Sequence, residues 1–187
     1  MTYDELLETI NSYTIRDDAP IISFIRRAET YLRTIAKHYL SETTATLTVI
    51  DGKAELPSDF REIRSITGAT KTYKPIAPMN ASLGENDVGY YRQGNQLVFV
   101  GVTDAEIELL YVAAFPDLTE TQSNWLFDRF PNVYVAAILK EFHRWQTDPE
   151  GVSIEQAALQ EALAIVAEDD RRGRQSGTII MESSTWL

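Results

Sequence analysis

The sequence predicts an α+β fold: a helical bundle from the N- and C-terminal helices, an inserted and mostly antiparallel β domain, and an extended C-terminal tail. Three observations carry this. Apolar residues recur at helical spacing through the first forty residues and again after Pro116. Between those regions, β-forming residues alternate around two short turn signals, Asp51-Gly52 and Gly94-Asn95. After Arg172 the helical period stops while apolar residues continue. The predicted boundaries are residues 1–43 for the N-terminal helices, 44–115 for the β domain, 116–172 for the C-terminal helices and 173–187 for the tail arm.

"TYDE" at Thr2 reads as a capping box with Glu5, opening a short helix that runs through Ile10. A second helix takes Pro20 into its first turn, with Asp18 as its cap. Its apolar stripe is Ile21, Ile25, Ala28, Leu32, Ile35 and Tyr39, and Arg26, Arg27, Glu29, Arg33 and Lys37 fall off that stripe. Next, "TATLTVIDGKAELP" predicts a hairpin and "FREIRSITGA" a strand. "KTYKPIAP" suits a sheet edge because Pro75 cannot donate to a ladder. "NASLGEND" reads as loop, "VGYYRQGNQLVFVG" as a second hairpin and "AEIELLYVAAF" as a last strand.

Helical pattern resumes with a short helix over Asn124–Arg129 and another opening at Pro131. Val133 to Trp145 is apolar nearly all round, which predicts enclosure on several sides. Trp125, Phe127, Tyr134 and Phe142 are the expected structural core, with Trp125, Phe127 and Phe130 plugging the junction between helices and β domain. Ser153 is expected to cap the last helix with Gln156, and Leu159, Leu163 and Val166 form its stripe. Gly173 and Gly177 are expected to release the chain into the tail. There Ile179, Ile180, Met181, Trp186 and Leu187 predict a contact with a partner or a neighbouring subunit.

Composition narrows the function. The chain has 187 residues, 44% hydrophobic and 24% charged, an ordinary globular balance. No apolar run approaches the roughly 18 residues of a membrane span, and the acidic, amphipathic start is unlike a secretory signal. The absence of cysteine excludes disulfides, thiolate nucleophiles and Cys-based zinc sites. Two histidines, His38 and His143, cannot make a three-His metal centre in one chain. A net charge of −11 excludes DNA binding by phosphate neutralisation over the whole surface, though not a local basic patch.

Catalytic constellations are weak. Glu161 with Glu168, and Asp169 with Asp170, read as solvated faces rather than acid–base pairs. His143 reads as a packed or paired structural histidine, and His38 as a partner for a helix C-terminal dipole. "GYYRQGNQ" lacks the Lys-Ser/Thr of a phosphate loop, and "RRGR" after "AEDD" reads as charge balance at a helix end. Tyr90 and Tyr91 face opposite sides of a strand and read as sheet filler. Asn80 matches a glycosylation acceptor with nothing else pointing to secretion. No enzyme activity, metal or cofactor is expected.

An ordered set of segments says more than any one motif. "IISFIRRAETYLRTIAKHYL", "TLTVIDGKAELPSDFREIRSI" and "IELLYVAAFPDLTETQSNWLFDRFPNVYVAAILKE" follow one another from Ile21 to Glu141, within a likeness that covers about residues 15 to 165. In that order they resemble the head-to-tail adaptor (head–tail connector) proteins of tailed bacteriophages. The resemblance implies a helical bundle with a β insertion and no catalytic residues. It also implies a ring, dodecameric in the family, docked beneath the portal protein. Such a ring would extend the channel for genomic DNA, without sequence-specific binding, and would offer a surface to a downstream tail or nozzle protein. The implied location is the neck of the virion after assembly in the host cytoplasm, with no membrane contact. The alternative is a monomeric phage assembly or binding module. "TIIMESSTWL" falls outside the resemblance.

Overall fold

A computed structural model describes residues 1–14, 16, 18–69, 71–78, 89–101 and 105–175. The chain is α+β and divides into two compact units. One takes Met1–Tyr39 together with the chain from Pro116 onward, the other Leu40–Phe115.

The first unit is helical. Helix α1 (Tyr3–Tyr13) opens with a complete capping box between Thr2 and Glu5, and buries Leu6 and Ile10. Helix α2 (Ile21–Ile35) has Pro20, which offers no side-chain acceptor, at its N-cap in place of the expected Asp18, and Asp18 forms a two-pronged pair with Arg16. Its buried face is Phe24, Ile25, Ala28, Glu29 and Leu32, rotated from the predicted stripe so that Ile35 is exposed and Glu29 is not. Helix α3 (Trp125–Arg129) is capped by Asn124, whose Oδ1 accepts the Phe127 N–H at 3.1 Å. Helix α4 (Pro131–Trp145) begins on its proline and buries nine residues, including Val133, Tyr134, Ile138 and Phe142. It packs against α1, α2, α3 and α5, so a nearly all-round apolar sequence is enclosed on several sides.

Helix α5 (Pro149–Gln175) starts before the predicted cap. Thr147 turns the chain with a φ of 61°, and Asp148 Oδ1 accepts the Gly151 N–H at 3.1 Å. Asp148 Oδ2 meets His143 Nδ1 at 2.8 Å, so one carboxylate anchors both helices and Ser153 is an interior helical residue. At the other end the helix continues through Gly173, the residue expected to release it. Gly173 is there for proximity: its backbone lies against the Tyr39 ring, where a Cβ would collide.

The second unit carries two sheets, β1-β7-β3 and β2-β6-β5-β4. The strands are β1 (Glu42–Thr48), β2 (Lys53–Glu55), β3 (Phe60–Thr67), β4 (Lys74–Pro75), β5 (Gly89–Gln93), β6 (Gln96–Val100) and β7 (Glu106–Ala113). Asp51 and Gly52 both have positive φ, the two-residue turn that their sequence predicts, closed by the Ile50–Lys53 bridge. The arms of that turn then part, as β1 joins β7 while β2 joins β6. This corrects the predicted hairpin: the turn links two sheets. Gly94-Asn95 makes a true hairpin between β5 and β6. Pro75 lies on the edge strand β4, which pairs with β5 in parallel. Leu47, Leu56, Ile66, Leu97, Phe99, Ile107 and Leu109 share one core.

Candidate functional site

Two polar clusters, one buried and one part-buried, hold the helical unit together. The first centres on Glu29, which is 1% exposed. Glu29 Oε1 accepts the Leu118 N–H at 2.7 Å and the Tyr134 hydroxyl at 3.1 Å, and Oε2 lies 4.0 Å from Arg33. Arg33 also pairs with Asp117. The Asn124 amide donates to Tyr134 Oη at 2.8 Å and to the Pro116 carbonyl at 3.1 Å. One network thus ties α2, the segment after Pro116, the α3 cap and α4. Burial pushes the Glu29 carboxyl above its ordinary pKa, against the opposing pull of the Leu118 N–H, Arg33 and Tyr134. Burial also raises the Tyr134 hydroxyl well above the usual phenol range. A buried network with its partners in place fixes one arrangement of the elements it joins.

The second cluster centres on His38, which follows α2 and is fully buried. Its ring stacks on Trp125 at 4.9 Å between centroids and packs against Tyr39 at 4.4 Å. Nε2 meets Asp169 Oδ2 at 3.0 Å, and Arg129 donates to the other oxygen of Asp169 at 2.8 Å. The Tyr39 N–H donates to Asp170 at 2.6 Å. The helix-dipole reading of His38 is therefore replaced: α2 ends at Ile35, and a carboxylate from α5 supplies the partner. Burial lowers the His38 pKa, and the bond to Asp169 only partly opposes that. The described residues contain no cluster that could hold a metal ion. The arrangement is suited to holding helices in place.

With that geometry in view, the comparison with protein families is decisive: the chain matches the SU10 adaptor protein family over residues 1–181. The chain belongs to this family of phage head-to-tail adaptors. No curated protein matches it. Membership gives the adaptor a structural role and a place in the virion between head and tail, in association with portal and tail proteins. The family is not one of enzymes.

The residues singled out in the adaptor's sequence fall in different places. Phe127 and Tyr134 are fully buried and meet edge to face at 5.3 Å. Phe142 is buried between Phe24 and Trp145, at 6.3 and 6.2 Å. Trp125 is half-buried, and its stacking partner His38 belongs to the helical unit. Ile179, Ile180, Met181, Trp186 and Leu187 lie outside the described residues, as does Asn80. "RRGR" is balanced locally: Arg171 and Arg172 pair with Glu168, pulling its carboxyl down to about 2, and Arg174 pairs with Asp170. In the β unit Tyr90 is buried and Tyr91 half-buried on the opposite side. Tyr111 donates to Asp59 at 3.0 Å, and burial raises its pKa to about 12.

Two grooves on the adaptor's helical unit had no sequence signal, because each is assembled from separate helices. One, of about 570 Å³, runs between α4 and α5 past Phe130, Val135, Leu139 and Ile165, with Tyr13 at its rim. Ile165 is 59% exposed there and Tyr13 63%. The other, between α2 and α4, gathers Arg26, Arg27, Lys140 and Arg144. No helix among the described residues is long and apolar enough to cross a membrane.

Proposed function

We propose that copies of this chain form a ring, with twelve subunits as the expected number, beneath the portal. The ring would extend the DNA channel and present a docking surface to the next tail or nozzle protein, after assembly in the host cytoplasm. The family match across residues 1–181 carries this reading. The net charge of −11 is consistent with a channel role: a ring of acidic subunits repels phosphates, so duplex DNA would slide instead of sticking. The interlocked polar clusters support a rigid helical unit, the property a load-transmitting collar needs. The segment after Gln175, with its apolar residues at 179–181 and 186–187, is proposed as an arm that orders against the portal or a neighbouring subunit, adding main-chain hydrogen bonds at a sheet edge. No catalytic step is assigned.

The test is the mass of the protein in solution, alone and with portal protein, followed by a particle reconstruction. A ring of this chain seated on the portal supports the proposal. A stable monomer that never joins particles would overturn it in favour of the assembly or binding module.

A further inference from the structure

The groove between α2 and α4 carries a charge opposite to the chain's net charge. It measures about 720 Å³ and brings together Arg26 and Arg27 from α2 with Lys140 and Arg144 from α4. Glu141 is the one carboxylate lining it among the described residues, and it is held by Arg144 at 2.8 Å. With these five charges set aside, the chain retains 13 basic against 27 acidic residues, a net −14. Arg26 and Arg27 are exposed and form no ion pair among the described residues. Lys140 is 5% exposed, with its Nζ 4.1 Å from the centroid of the Tyr31 ring and bonded to Gln156. Its neighbours thus hold the lysine in place before anything binds, and burial lowers its pKa.

We propose that this groove docks an acidic face of a second copy of the chain, as the head-to-tail contact between neighbours in the ring; it rests on the ring reading above. Charge complementarity selects the occupant. Duplex DNA is a long rod with one negative charge per about 1.7 Å of axis. Four cations neutralise few of those charges, and the net −14 of the remaining chain repels a long polyanion. An acidic protein face has no such continuation, and every copy of this chain carries an excess of carboxylates. A patch that fits a different patch on the same molecule makes a heterologous contact, which closes into a ring when the rotation allows. The arrangement also reconciles two demands on the subunit. Net charges of one sign repel free copies at a distance, while the groove attracts once a template holds neighbours close.

The experiment uses the full chain assembled on portal protein. A photo-crosslinking residue is placed at Thr30, on the exposed wall of the groove. The expected product is an adduct between two copies of this chain, mapped by mass spectrometry to a carboxylate-rich segment of the second copy. In parallel, Arg26→Glu with Arg27→Glu should leave the melting temperature unchanged and weaken ring assembly by at least about tenfold. The Arg26→Gln, Arg27→Gln pair should show a smaller loss, and serves if the reversed pair misfolds. Adducts to portal, to DNA or to a segment poor in carboxylates overturn the proposal, as do charge-reversed rings that form like wild type. If the unmodified chain builds no ring on the portal at all, the ring reading fails and this contact fails with it. A normal ring whose crosslinks lie elsewhere removes this contact alone.

Discussion

Glu29 and Tyr134, 105 positions apart in the chain, meet in a buried hydrogen bond, with the tyrosine hydroxyl donating to Oε1 at 3.1 Å. The same oxygen accepts the Leu118 N–H, so a single carboxylate completes the hydrogen bonding of two other elements. Glu29→Ala is expected to leave both donors without an acceptor. Each orphaned buried donor costs about 1–3 kcal/mol, so the variant should lose about 2–4 kcal/mol in urea denaturation. Glu29→Gln keeps a carbonyl oxygen in place and should lose less than half as much. Equal losses from both variants would show that the charge, and not the acceptor, matters.

Acid should act on the helical unit through His38. Its folded-state pKa is lowered from 6.5 by burial. The folded state therefore binds the proton less tightly than the unfolded state. The stability contributed by neutral His38 is full above about pH 6.5 and declines as the pH falls through that value towards the lower folded pKa. Glu29, raised by burial from 4.5, has the opposite sign: its contribution is full below that value and is lost as pH rises through the folded pKa. Melting curves at pH 7.5 and 5.5 should show a smaller acid-induced drop for His38→Gln than for wild type. An identical drop in both proteins would remove His38 from the account.

Trp125→Ala removes the ring stacked on His38 and should lower the melting temperature and impair assembly together. Because Trp125 is half-buried, the expected loss is about 2–4 kcal/mol, at or below the lower part of the range for fully buried aromatics. Unchanged melting with lost assembly would make Trp125 an interface residue instead.

Gly151→Ala should destabilise the start of α5. A Cβ there would collide with the His143 ring and the Asp148 carboxylate that hold α4 and α5 together. Overpacking of this kind costs about 1–3 kcal/mol, and the loss should shrink in a His143→Ala background. A wild-type melting temperature for Gly151→Ala would mean that the turn relaxes freely.

Deleting residues 176–187 should leave the melting temperature of the free protein nearly intact while abolishing attachment to heads. Strong destabilisation of the truncated chain would place the tail in its own core.

Local chemistry was legible in the sequence. Thr2 with Glu5, Asn124, Pro131, Asp51-Gly52 and Gly94-Asn95 each act within about four residues, and each behaves as its residue types demand. The all-round apolar character of α4 determined that it would be enclosed. What the sequence left open was every choice between distant partners. Asp51-Gly52 dictates a tight turn, but the longer β7 ladder and the short β6 pairing decide that its arms enter different sheets. Ser153 had a good capping signal and lost to Asp148, because only Asp148 also reaches His143. Gly173 reads as a helix stop in the sequence, yet it lies inside α5, where the Tyr39 ring leaves no room for a Cβ. Glu29 counted as a surface charge until Leu118 and Tyr134 came to it from 89 and 105 positions away. The basic groove likewise exists only once α2 and α4 lie side by side. Turn and cap energies are settled by neighbours in the chain, whereas burial of a charge is settled by whichever distant groups arrive to satisfy it, and only the tertiary structure brings them together.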